Sequence, residues 1–142
     1  MDLLASSHSC VVPAEMLTQI TLVGLGGFLG SVGRYLLSLL VTQWSSTSRF
    51  PAATLVVNVV GCLAIGTLSG YATRSEFLTP ALRLFLITGL LGGFTTFSAF
   101  GHETFLLGKE SLGMMALANV AAQIVLGLGA VWLGHTLLVS GR

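Results

Sequence analysis

The chain has 142 residues, of which 54% are hydrophobic and 8% charged, and a formal net charge of +1. A soluble domain carries about a quarter charged residues, so this chain lacks the polar surface that water demands, and a mean hydropathy of +0.92 points to an integral membrane protein. The near-neutral charge excludes an extended basic surface, and with it nucleic acid as a partner. The two cysteines, Cys10 and Cys62, form neither a disulfide framework nor a metal-ligand spacing.

Met1 to Glu15 lacks the basic start and long apolar core of a cleaved signal. Met16 opens the first apolar run and reads as an alternative start. Residues 1–16 are then a short, dispensable leader, and residues 17–142 a four-helix transmembrane domain. Leu17 to Val41 is the first span. Gly26 and Gly30 in it form a G-x-x-x-G pair, which lets a partner helix approach closely. Arg34 lies in the same span, where an arginine either snorkels to the interface or faces a water-filled cavity. Gln43 to Phe50 is a polar loop with Trp44 as interfacial anchor, and Pro51 takes the first helical position of the second span.

The second span, Ala52 to Tyr71, holds Thr54 and Asn58 four residues apart, hence on one face, and a second small-residue pair, Gly66 and Gly70. An amide amid Val56-Val57-Asn58-Val59-Val60 needs either an interhelical hydrogen bond or a ligand. After a loop from Ala72 to Ala81, the third span, Leu82 to Leu107, is interrupted at its centre by Gly92-Gly93-Phe94-Thr95-Thr96-Phe97-Ser98-Ala99-Phe100. Paired glycines followed by two β-branched threonines weaken a helix, and a break at membrane depth frees backbone groups that must be re-satisfied or line a cavity. Phe97 and Phe100, three apart, share a face beyond it. Gly108 to Ser111 is a short loop. In the fourth span, Leu112 to Val139, Asn119 and Gln123 are four apart, able either to bond each other or to line a polar track.

Four spans with short loops make a small helical bundle with both termini on one side. Arg74, Arg83 and Arg142 fall on the terminal side, Arg49 and Lys109 on the other, with Arg34 adding weakly there. The positive-inside bias is therefore nearly absent: either the chain inserts both ways round, or one direction wins by a small margin. The spans hold no paired carboxylates, no serine–histidine–aspartate set in plausible positions and no phosphate-cradling loop, so the chain does not read as an enzyme. What remains is a polar thread, Thr54, Asn58, Thr95, Ser98 and Asn119, with two phenylalanines and the positive charge of Arg34. Donors, a positive end and the electropositive edges of aromatic rings suit an anion. Carbonyls freed at the break suit a small cation.

Three stretches carry a family resemblance. They are Gly26-Gly27-Phe28-Leu29-Gly30-Ser31-Val32-Gly33-Arg34-Tyr35, Phe50-Pro51-Ala52-Ala53-Thr54-Leu55-Val56-Val57-Asn58-Val59-Val60-Gly61, and Gly89-Leu90-Leu91-Gly92-Gly93-Phe94-Thr95-Thr96-Phe97-Ser98-Ala99-Phe100. In order and approximate spacing they resemble the three signatures of the Fluc (CrcB) fluoride channels. The resemblance implies an all-α membrane protein of four transmembrane helices, assembled as an antiparallel, dual-topology homodimer in the inner (plasma) membrane. It also implies passive export of fluoride from the cytoplasm, which lowers fluoride toxicity, and a central structural sodium ion held by the Gly92 and Thr95 carbonyls. By motif position Phe97 and Phe100 match the pore phenylalanines, Asn58 the vestibule amide, Thr54 and Ser98 polar pore-side residues, Arg34 the arginine of the first motif and Glu103 the acid after the third. Ala53 stands where the pattern has glycine and Ala99 where it has a hydroxyl. Asn119 and Gln123 replace its tyrosine and serine track. The alternative, a dual-topology small multidrug transporter, needs a carboxylate inside the first span, and Glu15 precedes that span.

Overall fold

The computed structural model describes residues 13–45, 49–73 and 78–139. Cys10, Arg74, Glu76 and Arg142 lie outside the described residues. Helix α1 is Ala14–Trp44 and α2 is Ala52–Ala72. The third span, Pro80–Lys109, is composite. It opens with α3 (Pro80–Arg83), continues as a π-helical segment (Leu84–Leu91) and a short α4 (Gly92–Phe94), and resumes as α5 (Phe97–Lys109). Helix α6 is Gly113–Val139. The spans α1, α2, Pro80–Lys109 and α6 are each long and apolar enough to cross a membrane, so the chain is a multi-pass membrane protein. Four crossings return Val139 to the side of Ala14.

Local chemistry sets the ends. Thr79 caps the third span by accepting the Leu82 amide at 3.3 Å, and Pro80, expected in a loop, is its first helical residue. Pro51 stands one residue outside α2 instead of opening it, with φ −77° and ψ 62°. Helix α1 outlasts the expected Val41 end because the Ser45 amide still reaches the Val41 carbonyl at 2.9 Å, which draws Gln43 and Trp44 into the helix. Gly108 and Lys109 likewise stay helical. The reversal to α6 is made at Ser111, whose φ of +61° is a left-handed conformation uncommon outside glycine and asparagine.

The packing is that of a protein in lipid. Among the described residues the buried apolar side chains are Val57, Leu91 and Leu107, while Leu25, Phe28, Val125 and Leu128 face outward. Lipid tails are as apolar as leucine, so helices associate through close backbone approach and small residues. Helix α1 packs on the π-helical segment and α4, and α2 packs along α6. A Cβ at Gly30 would overlap the Leu90 carbonyl, and one at Gly66 the Val131 carbonyl. The small-residue pairs Gly26/Gly30 and Gly66/Gly70 are thus occupied by helices of the same chain, so they give no support for association with a second copy. The π-helical turn meets the glycine face of α1, where Gly89 lies against the Val23 carbonyl.

Candidate ion pathway

The interruption is displaced from the residues that weaken the helix most. Gly92 and Gly93 are helical, and the chain becomes extended only at Thr95 (ψ 158°) and Thr96 (φ −150°, ψ 119°). Gly93 lies against the backbone of Gly27 in α1, so its missing side chain serves contact. The Thr95 amide and hydroxyl both reach the Leu91 carbonyl, at 3.0 and 2.9 Å. The next amide, Thr96, would donate to the Gly92 carbonyl in a continuous helix. It donates instead to Asn58 Oδ1 at 2.9 Å. Asn58 Nδ2 in turn donates to the Thr96 carbonyl and to Gln123 Oε1, each at 3.1 Å. The side chain of α2 therefore pairs with both backbone groups of Thr96, as a neighbouring strand would. Beyond the break the Thr96 hydroxyl accepts the Ala99 amide at 3.2 Å and caps α5. It lies 3.2 Å from the Ser98 hydroxyl. The Gly93 carbonyl, also separated from its helical donor, accepts the Ser31 hydroxyl at 3.4 Å.

Two cavities meet at Thr96. One, about 430 Å³, is bordered by Asn58, Gly92, Thr95, Phe97, Phe100 and Gln123, with Cys62 and Leu91 among its apolar walls. The other, about 280 Å³, is bordered by Ser31, Arg34, Tyr35, Ser38, Thr54 and Ala99. The expected thread is accordingly split between two sites. Phe97 and Phe100 share a face as their spacing predicts, with centroids 5.4 Å apart and planes at 63°, an edge-to-face pair. Phe97 is 82% exposed, and Ser98 beside it is exposed as well. Arg34 is half-buried and forms no hydrogen bond or ion pair among the described residues, so its charge is available to the smaller cavity.

The other thread residues have partners on neighbouring helices. Thr54 donates to Glu103 Oε1 at 2.6 Å, while Glu103 Oε2 is buried without a partner. Asn119 is fully buried. Its Nδ2 donates to the Thr104 hydroxyl at 2.8 Å and its Oδ1 is unpartnered. Asn119 and Gln123 do not bond each other: Gln123 turns to Asn58, and its Nε2 is buried without a partner. Asn119 borders neither cavity. Thr96 and Thr104 are residues that sequence reasoning did not single out as site residues. Thr96 was visible only as the second of two poor helix formers, and Thr104 only as the neighbour of Glu103. Among the described residues no three acidic, histidine or cysteine side chains could hold a metal. A cation here would rest on backbone oxygens, and Gly92 and Thr95, which border the larger cavity, fit that role: the Gly92 carbonyl loses the Thr96 amide to Asn58, and the Thr95 carbonyl loses the Ala99 amide to the Thr96 hydroxyl.

Residues 21–135 match the family model described as CrcB-like protein, Camphor Resistance (CrcB). A relative from Methylobacillus flagellatus, named a fluoride-specific ion channel FluC, is 50% identical over 120 residues, covering 84% of this chain and 94% of its own. Relatives of the same name from Flavobacterium psychrophilum and Solibacter usitatus are each 45% identical, covering 79% and 82% of this chain and 90% and 94% of theirs. With its glycine-packed spans, interrupted third helix and near-full-length relatives, the chain belongs to the CrcB family.

Proposed function

We propose that this chain is a fluoride-selective channel that lets fluoride leave the cytoplasm passively across the inner (plasma) membrane. The observation that carries the reading is the Phe97–Phe100 edge-to-face pair in one cavity with Gln123, at a helix break in a chain whose relatives are named fluoride channels. Fluoride is small and strongly hydrated, so each lost water must be replaced by a donor. Ring edges are electropositive and solvate an anion without a fixed charge that would trap it, and weak multi-site binding is what conduction needs. Arg34 gives the smaller cavity its positive potential, and the Ser98 hydroxyl extends the path past the rings. Both amide hydrogens of Asn58 are engaged, so its contribution to the path is the shape of the break.

The working unit is an antiparallel homodimer. Phe97 is 82% exposed at mid-span, next to a backbone break. Hydrocarbon does not tolerate irregular backbone on its face, so protein must cover it. The near-even distribution of Lys and Arg permits both insertions. At the centre a sodium ion takes the Gly92 and Thr95 carbonyls of each copy. Fluoride and chloride efflux from liposomes tests the function. Fluoride is expected to leave rapidly with chloride retained, and replacing sodium by a large organic cation is expected to stop the flux. Equal chloride efflux overturns the selectivity, and undiminished flux without alkali cation overturns the sodium site.

A further inference from the structure

We infer that Asn58 is a positioning residue that creates the cation site by taking the Thr96 amide away from the Gly92 carbonyl, and that Gln123 holds Asn58 in the orientation this requires. The inference rests on the sodium reading above and adds a cause for it. Glycine content does not open the helix, because Gly92 and Gly93 stay helical. The first extended residues are Thr95 and Thr96, and the Thr96 backbone is paired at both its groups by one side chain, at 2.9 and 3.1 Å. An amide is suited to this task because it offers an acceptor and a donor side by side. Alanine at this place offers neither group, and serine offers both only through one atom on a shorter side chain. The second hydrogen of Asn58 Nδ2 goes to Gln123 Oε1 at 3.1 Å. The Thr96 amide and carbonyl set which end of the Asn58 amide faces which, and the bond to Gln123 holds that amide in place from α6. Gly61, one turn along α2, leaves room for the Thr95 methyl, so the same helix seats one threonine and pairs the next.

The consequence is a chain of dependence: Gln123 orients Asn58, Asn58 captures Thr96, and the Gly92 carbonyl is left free for a cation. Without Asn58 the Thr96 amide can return to Gly92 and the helix can close.

The test combines two readouts on purified full-length protein in detergent. Carbon-13 threonine labelling reports the backbone at Thr96 through its Cα and Cβ shifts. Sodium titration of the thermal midpoint reports the cation site. In the wild type Thr96 is expected to show extended-chain shifts and sodium to raise the midpoint. Asn58→Ala is expected to move Thr96 to helical shifts and to raise the half-saturating sodium concentration by about tenfold, equivalent to about 1.4 kcal/mol. Asn58→Asp keeps the acceptor for the Thr96 amide and is expected to keep the extended shifts. If the midpoint of the wild type ignores sodium, the sodium reading fails, and the threonine shifts alone decide the role of Asn58. Extended shifts at Thr96 in a folded Asn58→Ala protein overturn the inference. Should Asn58→Ala not assemble, Gln123→Met carries the test. It is expected to weaken sodium stabilisation several-fold, on the scale of one neutral hydrogen bond, whereas Gln123→Glu, which keeps an acceptor for Asn58 Nδ2, is expected to retain it. Equal losses in Gln123→Met and Gln123→Glu, or no loss in Gln123→Met, overturn the inference.

Discussion

Replacing Gly61 by alanine separates packing at the break from helix propensity, because the two act in opposite directions. In a helix interior alanine is favoured over glycine by about 1 kcal/mol. At Gly61 the new Cβ would overlap Thr95 Cγ2, with Phe94 Cδ1 at 3.4 Å and Thr95 Cβ at 3.7 Å as the next neighbours. Carbon atoms pack about 3.5–4.0 Å apart, so Thr95 must retreat by roughly 1.5 Å on that scale. Thr95 cannot do this alone, since its amide and hydroxyl are both held by Leu91 and the following residue is held by Asn58. Overpacking of this kind costs about 1–3 kcal/mol, which exceeds the propensity gain. Gly61→Ala is expected to lower stability by up to about 2 kcal/mol on these terms, and to cut fluoride efflux at least tenfold, because the oxygens at the break move with Thr95. Gly129→Ala, where nothing lies within 4 Å of the added carbon, is expected to be neutral in both assays. Adding Thr95→Ser to Gly61→Ala removes the clashing methyl, keeps the hydroxyl bond to Leu91, and leaves 3.4 Å as the closest approach. The double variant should recover most of the loss. Thermal midpoints from size-exclusion of heated samples and efflux rates from liposomes measure both effects. If Gly61→Ala matches Gly129→Ala, or if Thr95→Ser fails to rescue it, the contact does not govern the break.

Three further outcomes follow from the site. Phe97→Ile and Phe100→Ile keep bulk and remove the ring quadrupole, so each is expected to lose most fluoride flux with the dimer intact, and normal flux in both variants would assign the rings to packing. Arg34→Ala is expected to slow fluoride entry without unfolding the protein, with the difference from wild type shrinking as ionic strength rises, and a salt-independent difference would remove Arg34 from the electrostatics of the path. In a background free of native cysteines, Ser45→Cys is expected to react with membrane-impermeant reagents from both sides of the membrane, and labelling from one side only would exclude the antiparallel assembly.

The four spans were legible because composition alone decides them: an apolar run of about twenty residues has one stable environment. The break was legible in place and not in cause. Local propensity pointed to Gly92-Gly93, yet tertiary contacts fix those residues in a helix against Gly27 and open the chain two residues later, where Asn58 competes for the backbone. The π-helical turns over Leu84–Leu91, which pack on α1, left no mark in the sequence. Spacing put Asn119 and Gln123 on one face of α6 without identifying their partners. Those partners, Thr104 and Asn58, come from different helices.

Thr96 is where the separate parts of the site meet. It borders the cavity that holds Arg34 and Thr54 and also the one that holds Phe97, Phe100 and Gln123. Its backbone is committed to Asn58, and its hydroxyl to the start of α5 beside Ser98. An anion that passes from the arginine side to the aromatic side therefore crosses a wall that it cannot easily displace, because moving Thr96 would give up two backbone bonds and a helix cap together. On the proposed pathway a constriction between the polar cavity and the largely apolar one favours the smallest anion, since a larger one has to push the wall aside and fluoride does not. On this reading selectivity resides less in any one donor than in the side-chain amide of α2 that fixes a single residue of the third span.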